Sequence, residues 1–126
     1  MNDEASRRLA TARRLLRELE DLDPGKVPTA TIHAAYYAMF HAATAIVLDG
    51  GGRRVRTHSG LIAKLAATLR QNHPDRQELV ARLGRAFDAR MLADYDDGGP
   101  DVVGRARYLK ADAPAYIAAC EALLGP

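Results

Sequence analysis

The stretch from Ile32 to Leu48 constrains this chain more than any other, because it is apolar almost all the way round a helix. A surface helix keeps one polar face, so a helix without one must be enclosed by protein or by lipid. Lipid is the poorer fit: the stretch is slightly short for a span and is interrupted by His33, His41 and two tyrosines. It is therefore expected to be the central helix of a bundle.

The rest of the chain agrees. Asp23-Pro24-Gly25, Gly50-Gly51-Gly52, Asn72-His73-Pro74 and Asp97-Gly98-Gly99-Pro100 punctuate it. Between them the apolar residues recur with helical period, and no segment shows the two-residue alternation of a half-buried strand. Five helices are expected. The first runs from about Asp3 to Leu22, with Ala5, Leu9, Ala12, Leu16 and Leu19 inward and arginines opposite. The second follows Pro28, with Thr29 as cap, and ends at Asp49. A third starts at Thr57 or Ser59, a fourth runs from Pro74-Asp75 to about Asp96, and a fifth from Asp101 to Leu124. Pro114 lies inside the last, so a kink or break near Lys110 to Asp112 is expected. Short connections favour antiparallel neighbours, giving an all-α, up-and-down four- or five-helix bundle. At 126 residues this is one domain, spanning 1–126.

Composition narrows the partners only slightly. The single cysteine, Cys120, excludes an internal disulfide framework, reads as a small core hydrophobe, and suits a reducing cytoplasm. No basic-then-apolar leader opens the sequence, so secretion is not expected. A net charge of +2 imposes no overall field. The basic residues are nonetheless uneven. Only Lys26, Lys64 and Lys110 are lysines among the 18, and the arginines concentrate in Arg7 to Arg17 and in Arg53, Arg54 and Arg56.

Three places depart from plain packing. Projected at about 100° per residue, His33, Tyr37, His41 and Thr44 fall on one stripe of the second helix. The two histidines stand eight apart with a tyrosine between them, which is not the i, i+4 spacing of a metal pair, so no metal is expected. The stripe reads either as hydrogen-bonded groups at a helix or subunit contact, or as the wall of a polar pocket. On the fourth helix Leu79, Leu83, Ala86 and Phe87 define the core-facing sector, and Arg90 and Asp94 fall within it. Arg82, Arg85 and Asp88 read as solvated surface. Charges on an apolar stripe are costly unless paired, so Arg90 and Asp94 either lock the bundle or a dimer, or line a cleft. Finally, the glycine run leads into Arg53-Arg54-Val55-Arg56-Thr57-His58, a basic loop ending at a helix N-terminus and suited to an anion. The alternative is a basic loop with Thr57 or Ser59 serving only as a cap.

Taken in order, Ala35-Tyr36-Tyr37-Ala38-Met39-Phe40-His41-Ala42-Ala43, Thr57-His58-Ser59-Gly60 and Arg90-Met91-Leu92-Ala93-Asp94-Tyr95 resemble the HEPN family, especially its small stand-alone bacterial members. The resemblance implies a helical bundle that pairs as a homodimer. It also implies a minimal nucleotidyltransferase as partner in a toxin–antitoxin or defence role. Active members are metal-independent endoribonucleases using an arginine, four to six residues, then a histidine. The histidine moves a proton while the 2′-hydroxyl attacks, and the arginine stabilises the charged phosphorane.

Arg90 matches the family arginine, but Tyr95 stands where the histidine belongs, and a phenol with a pKa near 10 is a poor proton shuttle at neutral pH. Arg53 and His58 show the arginine-to-histidine spacing by count, but in the wrong part of the chain. Three functions follow. The first is a HEPN-type interaction module with no cofactor. The second is an endoribonuclease in which Arg90 supplies charge and Tyr95, Asp94 or His58 moves the proton. The third is a nucleotide or small-ligand module using His33, Tyr37, His41, Arg53, Arg54, Arg56 and His58.

Overall fold

The computed structural model describes residues 1–125. Five helices follow one another with no strand among the described residues: α1 (Asp3–Glu20), α2 (Pro28–Asp49), α3 (His58–Asn72), α4 (Glu78–Ala93) and α5 (Val102–Leu124), with a 3₁₀ turn at Pro74–Arg76 before α4. The all-α bundle expected from periodicity is the architecture found. At its centre lies α2, packed against all four other helices. By length and composition α2 could cross a membrane, but most of its apolar surface is buried inside the fold. The core it anchors includes Leu9 and Leu19 of α1, Leu61 and Leu65 of α3, Leu79 and Leu83 of α4, and Tyr116 and Ile117 of α5.

The helix ends follow from local chemistry. Asn2 caps α1 by accepting from the Ala5 N–H at 2.9 Å, while its Nδ2 donates to the Leu48 carbonyl at 2.9 Å, tying the start of α1 to the end of α2. At the other end of α1, the Lys110 ammonium of α5 donates to the carbonyls of Glu20 and Leu22, where a cation suits the helix dipole. Thr57 caps α3, as one of the two expected alternatives, by accepting from the Gly60 N–H at 3.1 Å. Asp101 caps α5 in a left-handed conformation, φ 47°, with its carboxylate accepting from the Gly104 N–H. The loop between α4 and α5 is held by Arg105, whose guanidinium donates to the carbonyls of Ala89, Gly98 and Pro100 at 2.7–3.0 Å.

Four details differ from expectation. Thr29 is not the cap of α2: Val27 holds that place, and Pro28 is the first helical residue, where its missing N–H costs nothing. Pro74 and Asp75 open only a short 3₁₀ turn, and α4 begins at Glu78 and stops at Ala93. Of the kink or break expected at Pro114, the break is absent: α5 runs unbroken for 23 residues. Pro114 is exposed, while Ala113, Tyr116, Ile117 and Cys120 are buried around it, so packing of the inner face outweighs one lost backbone hydrogen bond.

Arg82 is the fourth difference. It is not solvated surface: its Nη2 lies 2.9 Å from Asp112 Oδ1 and its Nε 3.3 Å from Oδ2, both side chains being more than four-fifths buried. The guanidinium also lies 5.2 Å from the centre of the Tyr116 ring. This bidentate pair pins α4 to α5.

Candidate functional site

On one side of α2 the aromatic residues emerge from the core and form the floor of a cleft of about 570 Å³. Tyr36, Tyr37, Phe40 and His41 come from α2, Arg54, Arg56, His58 and Ser59 from the basic loop and the start of α3, and Phe87 and Arg90 from α4. Helical spacing explains the floor, since residues three or four apart share a face: Tyr36 sits beside Phe40 and Tyr37 beside His41, while Phe87 and Arg90 stand one turn apart on α4. The wall is set by the Thr57 cap, which makes His58 the first residue of α3. Gly60 completes that turn; any side chain there would collide with Val55 and Thr57.

Arg90 occupies the bottom of the cleft. Its guanidinium carbon lies 5.5 Å from the centre of the Tyr36 ring and 5.5 Å from that of Tyr37. The ring faces attract the cation without consuming its N–H groups. Its Nε is buried and has no hydrogen-bond partner among the described residues. His58 stacks flat on Phe87, with ring centres 3.7 Å apart and planes within 7°. The Tyr36 hydroxyl lies 3.4 Å from His58 Nδ1, a long contact.

Protonation states follow from this packing. Burial pulls His58 below the ordinary imidazole value; Arg90 pulls the same way and Asp88 opposes it. His58 is therefore neutral at pH 7 and can accept a proton. Burial also pushes the Tyr36 phenol up to about 12, with Arg90 acting against the rise, so Tyr36 remains a hydrogen-bond donor. His41 is lowered by burial and then by Arg8, Arg54 and Arg14, and its buried Nδ1 has no partner among the described residues. Arg54 and Arg56 are exposed at the rim. The result is an aromatic floor under a cationic rim, with a neutral imidazole on one wall. It suits a phosphate group attached to a planar base.

The residues expected from the sequence divide cleanly. Tyr37, His41, Arg54, Arg56 and His58 line this cleft together with Arg90. His33 and Arg53 do not: His33 Nε2 is 2.9 Å from Asp94 Oδ1, and Arg53 is exposed outside the lining. Asp94 and Tyr95 lie outside it too. Arg90 and Asp94 do not pair, because α4 ends at Ala93 and Asp94, as its C-terminal cap, turns to His33 at the surface. Tyr95 is 63% exposed, beyond the helix. Of the groups expected for catalysis, Arg90 and His58 therefore share the cleft, while Asp94 and Tyr95 lie outside it. Sequence reasoning missed Phe40 and Phe87, which look like ordinary core residues, and Tyr36, named only as part of a motif. The i, i+4 spacing of Tyr36 and Phe40 was the available signal. No cluster of three metal-ligating side chains is present among the described residues.

Known proteins place this arrangement. The chain is 36% identical over 93 residues to a UPF0332 protein of Archaeoglobus fulgidus, an overlap covering 74% of this chain and 73% of the relative. The model of the HEPN domain matches residues 3–125, from the first turn of α1 to the end of α5. With the bundle, the central aromatic helix and the α4 arginine all inside that match, the chain belongs to the HEPN domain family.

Proposed function

We propose that this HEPN-type module binds the phosphate backbone of RNA in the Arg90 cleft and acts as a homodimer with a minimal nucleotidyltransferase partner, in a toxin–antitoxin or defence role. The observation that carries the binding reading is Arg90: a half-buried cation held by two ring faces, its buried Nε–H without a partner among the described residues, in a cleft rimmed by Arg54 and Arg56. Family membership supports the dimer and the partner. The test is binding of a labelled single-stranded RNA in a fluorescence anisotropy titration. Arg90→Ala is expected to weaken binding at least tenfold, since charge-assisted hydrogen bonds contribute about 1.5–3 kcal/mol each. Equal affinity of wild type and variant refutes it. For the assembly, sedimentation of the purified protein and co-purification with the neighbouring gene product are decisive. A strict monomer with no nucleotidyltransferase bound removes that part.

One observation favours a second reading, metal-independent RNA cleavage. His58, held below the ordinary imidazole value, lines the same cleft as Arg90, which supports an imidazole from α3 doing what position 95 cannot. In this reading His58 accepts the 2′-hydroxyl proton and Arg90 stabilises the phosphorane. Cleavage of RNA in the presence of a chelator, lost in His58→Ala and retained in Tyr95→Phe, is the expected result. No cleavage by wild type leaves binding alone.

A further inference from the structure

A second cleft, of about 410 Å³, opens beside the first, between α1 and the basic loop. It is lined by Glu4, Arg7, Arg8 and Thr11 of α1, by Leu48, and by Arg54, which also lines the Arg90 cleft. Charge is crowded here. Arg8 is pushed below its ordinary value by burial, by Arg54 and by Arg7, and only Glu4 opposes this. His41, in the Arg90 cleft, is affected by Arg8 and Arg54 alike, so the two clefts share an electrostatic environment. Among the described residues Arg7, Arg8, Arg54 and Arg90 form no ion pair, whereas Arg13 and Arg14 of the same helix α1 pair with Glu121 and Glu18. A cluster of unpaired cations destabilises a fold through mutual repulsion, and a polyanion relieves it.

From this we infer that Arg7 and Arg8 form a second phosphate subsite, continuous with the Arg90 cleft through Arg54, so that the ligand is a single nucleic-acid strand running from α4 across the loop to α1. The inference rests on the proposed RNA binding and adds the ligand's length and path. A mononucleotide would engage the first cleft alone. A duplex would keep its bases from the rings of Tyr37, Phe40 and His58, on which unpaired bases can stack.

The experiment compares a single-stranded RNA of roughly 8 nucleotides, a size typical of such grooves, with a mononucleotide, each titrated across a range of salt. Each cation that neutralises a phosphate of a single strand contributes about 0.7 to the slope of log K against log salt. The double variant Arg7→Gln, Arg8→Gln is expected to lower the slope for the oligonucleotide by about 1.4 and to change mononucleotide affinity far less than Arg90→Ala does. Arg8→Lys should retain the slope, which separates lost charge from a damaged helix. Arg17→Gln, exposed on α1 outside both clefts, should match wild type. If the double variant keeps the wild-type slope while Arg90→Ala still weakens binding, the second subsite is wrong and the first stands. No RNA binding by wild type overturns both, and a duplex bound as tightly as the single strand overturns the path.

Discussion

The pair Arg82–Asp112 offers a stability prediction with a functional consequence. The two side chains are 18% and 16% exposed and meet through two N–H···O contacts, so each charge depends largely on the other. Removing one partner of a fully buried pair costs about 3–5 kcal/mol. Residual water access at this joint reduces that to roughly 2–3 kcal/mol for Asp112→Ala, which strands the guanidinium over the Tyr116 ring. At about 2.1 cal/mol/K per residue, a chain of 126 residues loses roughly 4 °C of Tm per kcal/mol, so Asp112→Ala should lower Tm by about 8–12 °C. Arg82→Met strands the carboxylate but keeps apolar packing on Tyr116, and should cost less. The double variant Arg82→Met, Asp112→Leu leaves no stranded charge and should recover much of the loss, with a coupling of about 1.5–2 kcal/mol. Because α4 also carries Phe87 and Arg90, both single variants should weaken RNA binding and the double variant should restore it. Thermal and denaturant unfolding give the cycle. If the effects of the single variants add within about 0.5 kcal/mol, the joint is not a coupled pair.

His41 and His58 both have folded values below the unfolded imidazole value near 6.5. The unfolded chain therefore binds more protons below that pH, and their contribution to stability is lost as pH falls through about 6.5 toward the folded values. Tm should decline across this window in wild type and decline less in His41→Gln; an identical pH profile for the two would refute the assignment. Tyr95→Ala should leave both Tm and RNA affinity within error of wild type, since this exposed ring lies outside the cleft. Gly99→Ala should lower Tm by several degrees, because φ is +79° and the added carbon would lie 2.7 Å from the Leu92 carbonyl oxygen, a strain of about 1–2 kcal/mol or more. An unchanged Tm would show that the loop tolerates another conformation.

The bundle was legible because its determinants are local and repeated: an all-round apolar α2, helical periods on the other segments, and Gly/Pro punctuation between them. What stayed hidden depends on neighbours. Nothing in the sequence around Arg82 announces Asp112, 30 residues away on another helix. Asp94 has the right angle to face inward with Arg90, yet the helix ends one residue earlier and His33 takes its carboxylate. Pro114 carries a strong local signal, but the buried residues flanking it decide the outcome. The cleft was half legible. Polar residues out of place on α2 and α4 marked Tyr37, His41 and Arg90, whereas Phe87 gives no sign in the sequence that it is the stacking partner of His58.

These observations meet in α2. A central helix must be apolar, and a helix that floors the proposed phosphate site must offer polar contact, which are opposed demands on the same residues. Aromatic side chains satisfy both. The Tyr36 ring is 2% exposed and fills the core, yet its face attracts Arg90 and its hydroxyl reaches toward His58. The remaining cost falls on Arg90: an unpaired buried N–H loses about 1–3 kcal/mol, which an acceptor from the proposed ligand would recover. A carboxylate from the protein at that position would have paired the cation and filled the cleft. Arg90 is held instead by ring faces, which stabilise its charge and leave its buried Nε–H without a partner among the described residues.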